Sequence, residues 1–171
     1  ASISQDQRIQ LLLIGFVFNA FLEGAAGFGV PIAICAVLLT QLGFKPLEAA
    51  MYCLVGNAAA GAYGAVGISV AIIDTLNLSG DVSATEVALI GNLTLGFISF
   101  FVPFLLIFMI DGFRGIKEIL PSILVVSVTY TLLQVIITSF AGPELADIIP
   151  GLAAMVALAL FSSKFQPKNI F

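Results

Sequence analysis

Residues 18–34, FNAFLEGAAGFGVPIAI, place the carboxyl group of Glu23 inside sequence that is otherwise apolar. A charged carboxylate at membrane depth costs on the order of 3 kcal/mol, so an acid in this position indicates a function. Because the charged form is poorly solvated there, the protonated form is favoured, and Glu23 is predicted to carry a proton together with an anion. The alternative is a neutral carboxylic acid that bonds to loosened backbone and holds this stretch together.

Three glycines, Gly24, Gly27 and Gly29, follow Glu23 within six residues. They permit a turn, and they let another chain or a ligand approach the backbone closely. A second helical arm beginning near Val30 would offer free N–H groups and the positive end of its dipole to an anion. We therefore predict that Gly27, Gly29 and Val30 contribute to an anion-binding site.

A second interrupted stretch, GNAAAGAYGAVG at residues 56–67, combines four glycines with two polar side chains, those of Asn57 and Tyr63. Small residues at this density are also typical of a tight helix-packing face, which is the alternative interpretation. Interrupted apolar segments favour an unwound region at a transporter binding site. We predict that Asn57 and Tyr63 bind the substrate, and that the backbone hinges are Gly24, Gly56, Gly61, Gly64 and Gly67.

The composition indicates an integral membrane protein, because 60% of the 171 residues are hydrophobic and only 9% are charged, with a mean hydropathy of +1.16. With no histidine and only two cysteines, few ligands are present for a transition metal, so no metal site is predicted. The chain contains no Ser–His or Cys–His pair and no Walker-type loop, which argues against an enzyme or an organic cofactor. No basic patch is present that would bind nucleic acid.

Apolar blocks predict an all-α, polytopic transmembrane protein that packs against a lipid bilayer. Residues 87–161 are predicted to form three transmembrane helices, and residues 47–73 a broken helix. The block at 9–44 is too long for one ordinary span and too short for two full spans with a turn. The whole chain, 1–171, is predicted to be part of a single transport domain.

Positive residues flank the blocks and predict which ends lie on the cytoplasmic side; they are Arg8, Lys45, Arg114, Lys117, Lys164 and Lys168. On this basis both ends of block 9–44 lie inside. The block is therefore predicted to be a re-entrant hairpin whose arms, about 15 residues each, reach part of the way through the membrane. The alternative is a pair of short, tilted spans that cross it fully.

At these residues the sequence resembles the bacterial lactate permease family, whose members carry lactate and glycolate coupled to protons. The resemblance covers nearly the whole chain, and FLEGAAGFG is its most specific signature. It is carried by DQRIQLLLIGFVFNAFLEGAAGFGVPIAI, LGFKPLEAA, CLVGNAAAGAYGAVG, DGFRG, GPELADI and PKN. Full members of the family are much longer, so the resemblance implies a piece of the N-terminal half that works with the remainder of the same polypeptide.

The resemblance implies a secondary transporter in the bacterial inner membrane that imports a small 2-hydroxy monocarboxylate, lactate or glycolate, by proton symport. It also implies an elevator-like motion of the hairpin and the broken helix. The proton would be the coupling ion, with no cofactor. Two alternatives stay open: a sodium-coupled or channel-like anion carrier, which would use carbonyl groups of the unwound segments, and a membrane fragment that does not transport.

Overall fold

The computed structural model describes residues 4–76, 83–165, 167, 170 and 171. Within this part of the chain the regular structure is helical, without a β-strand, as predicted for an all-α protein. We number the longer helices in chain order: α1 Gln7–Ala25, α2 Val30–Gln41, α3 Pro46–Asn57, α4 Gly64–Ala71, α5 Ala84–Ala141 and α6 Ile148–Lys164. Short 3₁₀ turns lie at Gly61–Tyr63, Ile72–Thr75 and Pro143–Leu145.

Helix α1 forms the centre of the bundle. Its middle section, Leu11–Phe18, is wound as a π-helix, and side chains such as Leu12 and Phe16 are fully buried there. The wider winding exposes backbone carbonyls that an α-helix would use, and the amide of Asn19 donates to the carbonyl of Gly15 at 3.2 Å. The same amide donates to the carbonyl of Cys53 at 2.8 Å and so links α1 to α3.

Helix α2 returns antiparallel along α1. Leu39 packs against Gly15, and Gly43 lies beside Gln7, so the hairpin begins and ends at the same end of the molecule. The two arms are unequal, however, because α1 has 19 residues and is long and apolar enough to cross a membrane by itself, whereas α2 has 12. The expectation of two arms of similar length is therefore not met, and the depth of the hairpin tip in the bilayer stays a prediction.

The tip of this hairpin is a left-handed turn. Gly27, Phe28 and Gly29 have φ angles of 62°, 54° and 81° in succession. This conformation disfavours residues with a Cβ atom, whereas glycine adopts it readily. Glycine at two of the three positions therefore explains why the chain reverses here.

The predicted broken helix is confirmed. Helix α3 and the segment Gly61–Thr75 are bent by 69° relative to each other across a short break. Inside the second segment Ala65, Val66 and Gly67 have φ angles of 51°, 58° and 65°, which form a second left-handed turn. Two turns of this kind, one in each interrupted stretch, thus occur at the places where the sequence is richest in glycine and alanine.

Helix α5 is folded back on itself into two arms, 84–111 and 120–141. Gly112 has φ 61° and ψ −155°, which only glycine adopts readily, and Ile119 is also non-helical. The hydroxyl of Ser99 lies 2.8 Å from the side-chain oxygen of Gln134, although a straight helix would separate these residues by roughly 50 Å. The arms correspond to two of the three blocks predicted as separate spans in residues 87–161.

The chain start, the turn of α5 and the chain end meet at one end of the bundle. Arg8 forms ion pairs of 2.8 Å with Asp111 and with Glu118, and the backbone N–H of Gln7 donates to the carbonyl of Phe171 at 3.1 Å. This is the grouping of ends that the flanking positive charges predicted. That this end faces the cytoplasm stays a prediction.

The outer surface is strongly apolar, as a lipid-facing surface requires. Leu47, Leu93 and Phe140 are each at least 80% exposed, and apolar surface on this scale fits a bilayer or a further part of the protein. By length and composition α1, Glu86–Ala141 and Pro143–Lys164 can cross a membrane, and the bent pair of α3 and α4 supplies up to one more span.

Candidate functional site

Three turns of the chain contact one another at a distance from the Arg8 end: the hairpin tip, the left-handed turn at the start of α4, and the turn before α6. A Cβ atom added to Gly27 would lie 2.7 Å from the backbone nitrogen of Ala65, and one added to Gly67 would lie 2.7 Å from the carbonyl oxygen of Pro143. Backbone thus touches backbone at both places, and glycine is what permits these contacts.

Glu23 lies on α1 beside these turns, about 20 Å along the helix from Arg8. Its side chain is 5% exposed, and its Oε1 atom lies directly against Gly64. The side-chain amide of Asn57 interacts with the carboxyl group. The other oxygen, Oε2, is buried and has no hydrogen-bond partner among the described residues. Within the same part of the chain no lysine or arginine forms an ion pair with Glu23.

A second carboxyl group, that of Asp147, is buried beside Glu23. It is 1% exposed, and its Oδ1 atom accepts hydrogen bonds from the Tyr130 hydroxyl at 2.8 Å and the Gln134 amide at 2.9 Å. Its Oδ2 atom is buried without a partner in the described part of the chain. A Cβ atom on Gly24 would lie 2.9 Å from Asp147 Cβ, so the aspartate packs against the residue after Glu23, and the two carboxyl groups interact electrostatically.

The orientation of the Gln134 amide is set by its neighbours. Its oxygen lies 2.8 Å from the Ser99 hydroxyl, which is the available donor, so its nitrogen faces Asp147. The same nitrogen and the Ser99 hydroxyl lie 3.4 and 3.3 Å from the carbonyl of Ala59, in the break after α3. Hydrogen bonds therefore connect both arms of α5, the helix break and the aspartate.

A cavity of about 370 Å³ opens between the hairpin tip and the broken helix. Glu23, Phe28, Gly64 and Ser69 are among the residues that line it. Its volume is within the range of sites for small molecules. The cavity places a buried carboxyl group next to both interrupted stretches, which is the arrangement that the sequence predicted for a binding site.

The two polar residues of the broken stretch have different surroundings. Asn57 ends α3 beside Glu23, and its Oδ1 atom is buried with no partner among the described residues. The hydroxyl of Tyr63 instead lies 3.0 Å from both the carbonyl of Ala88 and the Oδ1 atom of Asn92, so it fastens the break to α5. Substrate binding by Asn57 and Tyr63 stays a prediction. Asn57 is the better placed of the two, because its Oδ1 atom has no partner among the described residues, whereas the Tyr63 hydroxyl already contacts Ala88 and Asn92.

The predicted anion-binding site at the start of α2 lies largely on the surface. Val30 is 46% exposed. Its N–H was expected to be free for an anion, but it donates to the carbonyl of Gly27 at 3.2 Å. The tight tip turn brings that carbonyl back over the helix start. Gly29 is exposed as well, while Gly27 is buried against the broken helix. A role for these three residues in anion binding stays a prediction.

The five predicted hinge glycines fall into two groups. Gly61 and Gly64 lie in or at the edge of the break between α3 and α4, and Gly67 lies in the left-handed turn inside α4. Gly24 and Gly56 lie inside regular helix instead, where they allow close contact. Gly56, for example, packs directly on the carbonyl of Gly15 in the π-helical section of α1.

Asp147, Tyr130 and Gln134 were not among the residues predicted for the site, and the structure joins them by hydrogen bonds. A signal for Asp147 was present, because it is an acid within the apolar block 145–161, and the same argument identified Glu23. The partners Tyr130 and Gln134 carried no such signal, since an isolated polar residue in a span most often serves helix contact.

Arg8 was interpreted only as a flanking charge, and this interpretation was incomplete. The side chain is 1% exposed, and it forms ion pairs with Asp6 at 2.7 Å and with Asp111 and Glu118 at 2.8 Å each. Its guanidinium carbon also lies 5.6 Å from the ring centroid of Phe171. The residue is a buried centre of the bundle's charged end, as well as a marker of topology.

Two interrupted helical stretches that touch each other, buried carboxyl groups and a cavity between the stretches are typical of membrane proteins of the secondary-transporter class. A family model described as L-lactate permease matches residues 1–171, and the chain belongs to this family. The family consists of permeases rather than enzymes, and the chain is a multi-pass protein of the bacterial inner membrane.

Curated relatives support the assignment. The chain is 66% identical over 169 residues to the L-lactate permease of Halalkalibacterium halodurans, with 99% of this chain and 32% of the relative covered. It is 45% identical to the L-lactate permease of Bacillus subtilis, covering 99% and 30%, and 46% identical to the glycolate permease GlcA of Escherichia coli, covering 98% and 30%. The chain thus spans about 30% of the length of these relatives. No solved structure matches it.

Proposed function

We propose that the complete protein imports a small 2-hydroxy monocarboxylate, lactate or glycolate, together with a proton bound by Glu23. The observation that carries this proposal is the Glu23 carboxyl group, buried in the wall of the cavity between the two interrupted stretches. The names of the relatives, L-lactate permease and glycolate permease, support the substrate class.

The charge balance at the cavity explains why a proton would accompany the substrate. Two negative charges in a poorly solvated site repel strongly, because the low dielectric constant there screens them little. A proton on Glu23 removes that repulsion, so the carboxylate of the substrate enters beside a neutral acid. When the proton leaves, the repulsion returns and favours release of the anion.

The polar groups near Glu23 fit a small hydroxy acid. The amide of Asn57 offers two N–H donors and one acceptor, which suit a carboxylate and a neighbouring hydroxyl. The described residues supply no cation at the cavity. We therefore infer that this part of the protein binds the substrate through hydrogen bonds and the protonated carboxyl group of Glu23, without an ion pair.

The test is uptake of labelled lactate into proteoliposomes that contain the complete protein, with wild type and Glu23→Gln compared. Under an inward proton gradient the wild type is expected to accumulate lactate, whereas Glu23→Gln exchanges lactate without accumulating it. Accumulation by Glu23→Gln at the wild-type level would contradict the role of Glu23. Lactate accumulation driven by a sodium gradient at constant pH would contradict proton coupling and support a sodium-coupled carrier.

A further inference from the structure

We propose that Asp147 is a second proton-binding residue of the transport site and that it exchanges the transported proton with Glu23. The proposal rests on the proposed function, since it assigns a partner to the proton carrier. It adds a group on a different structural element, because Glu23 belongs to the hairpin and Asp147 stands directly before α6.

The hydrogen bonds of Asp147 leave one defined position for a proton. Its Oδ1 atom receives two donors, from Tyr130 and Gln134, and the contact between Ser99 and Gln134 keeps the amide nitrogen turned toward it. A carboxyl oxygen that already accepts two hydrogen bonds is a poor place for a proton. The proton of a neutral Asp147 is therefore on Oδ2.

The Oδ2 atom is available for exchange. It is buried and has no hydrogen-bond partner among the described residues, and the same is true of the Oε2 atom of Glu23. The close packing of Asp147 Cβ against Gly24 places the two carboxyl groups in one buried region, where they interact electrostatically. Two buried acids that interact, each with one oxygen unpartnered among the described residues, can hold a single proton between them.

Other charged or titratable groups around the pair do not provide a compensating positive charge. The hydroxyl groups of Tyr130 and Tyr63 interact with Asp147, and both are neutral donors. In the described part of the chain, lysine and arginine form ion pairs only with acids other than these two. Double ionisation would leave two uncompensated charges in a buried region, so the pair retains one proton.

The exchange itself is a single proton transfer. The O–H bond of protonated Glu23 breaks and an O–H bond forms at Oδ2 of Asp147, so that Glu23 becomes the carboxylate and Asp147 the neutral acid. Total charge is unchanged. Because the two residues lie on different elements, a movement of the hairpin relative to α6 would separate the proton from Glu23 and make the transfer directional.

The first test compares Asp147→Asn with wild type in proteoliposomes of the complete protein. Asparagine keeps an oxygen for Tyr130 and Gln134 but cannot bind the proton. We expect gradient-driven lactate accumulation to fall at least about tenfold, as for loss of a proton-transfer group, while exchange of labelled lactate continues. Wild-type accumulation by Asp147→Asn would overturn the proposal. Glu144→Gln removes an exposed acid of the same turn and serves as the matched control, expected to behave as wild type.

A second readout is independent of transport and separates this proposal from the proposed function. In protein labelled with ¹³C-carboxyl aspartate, the infrared band of Asp147 is identified by its loss in Asp147→Asn. Its titration midpoint is expected to move by about one pH unit or more in Glu23→Gln, because coupled acids titrate as a pair. An unchanged midpoint would overturn the shared proton even if lactate transport is confirmed, and a moved midpoint would support it even if another anion is carried.

Discussion

Two buried regions of this bundle treat carboxyl groups in opposite ways. At the end where the chain begins, the guanidinium of Arg8 holds three carboxylates, those of Asp6, Asp111 and Glu118, at 2.7 to 2.8 Å. These acids are fixed as charged partners of one cation. They join the start of α1 to the turn of α5, and we interpret the cluster as structural.

The other region buries Glu23 and Asp147 without an ion-pair partner among the described residues. Each has one oxygen without a hydrogen-bond partner in that same part of the chain. An arrangement of this kind is poor for stability but suitable for binding and releasing a proton. Burial of an acid therefore does not define its role, and on the proposed function the absence of a paired cation distinguishes the two proton-binding acids from the acids of the Arg8 cluster.

The largest effect is expected from breaking the charged end. Arg8→Ala would leave the buried carboxylate of Asp6 and the part-buried carboxylates of Asp111 and Glu118 without their shared cation, and loss of one partner of a buried ion pair destabilises a protein by about 3–5 kcal/mol. Unfolding in detergent by denaturant or heat would measure it. Arg114→Ala is the matched control, because Arg114 is 72% exposed and pairs only at the surface with Glu118, for which about 0–1 kcal/mol is expected. Equal effects of the two substitutions would contradict a structural role for the cluster.

A smaller loss of stability is expected where α1 meets the turn before α6. A methyl group at Gly24 would lie 2.9 Å from Asp147 Cβ and 3.0 Å from the backbone nitrogen of Ile148, so Gly24→Ala should cost about 1–3 kcal/mol through overpacking. Gly61→Ala is the control, since nothing lies within 4 Å of its added Cβ. The same unfolding measurement applies, and a stable Gly24→Ala would show that the two elements pack less closely than described.

Gly64→Ala should separate function from stability. Its added methyl group meets the terminal oxygen of the Glu23 side chain, and that side chain can rotate away, so the stability change should stay below about 1 kcal/mol. The displaced carboxyl group would lose its position in the cavity wall, and gradient-driven uptake should fall at least about tenfold. Normal uptake with a normal unfolding transition would argue against the importance of this contact.

The smallest effect is expected at the surface pair of Lys45 and Glu48. The hydrogen bond from Lys45 to Glu48, 3.0 Å long, raises the pKa of the lysine, so any stability it contributes is present below the ordinary lysine pKa and is lost as pH rises through the raised one. Lys45→Ala should leave the thermal midpoint at neutral pH unchanged. A clear drop would mean that this pair is shielded from water by another part of the protein.

Much of the architecture could be predicted because its causes are local. Glycine density predicted both interrupted stretches, since the left-handed turns at Gly27 and Gly67 depend on residues next to one another. The flanking cations predicted the shared end of the hairpin arms. Burial of Glu23 followed from its position in an apolar block.

The remaining features depend on contacts between distant residues. Arg8 pairs with Asp111 and Glu118 across more than 100 positions, and spacing along the chain does not encode this. Tyr130 and Gln134 are ordinary polar residues of a span until the turn before α6 brings Asp147 to them. The π-helical winding of α1, Leu11–Phe18, likewise has no sequence pattern that predicts it.

The central claim is that an acid pair without a cation moves the transported proton. Its most direct test is to load liposomes containing the complete protein with a pH-sensitive dye and apply an inward lactate gradient, with protein-free liposomes correcting for passive entry of lactic acid. Wild type is predicted to acidify the lumen, whereas Glu23→Gln produces no protein-dependent acidification although it still exchanges labelled lactate in liposomes preloaded with unlabelled lactate. Acidification at the wild-type rate by Glu23→Gln would contradict the account.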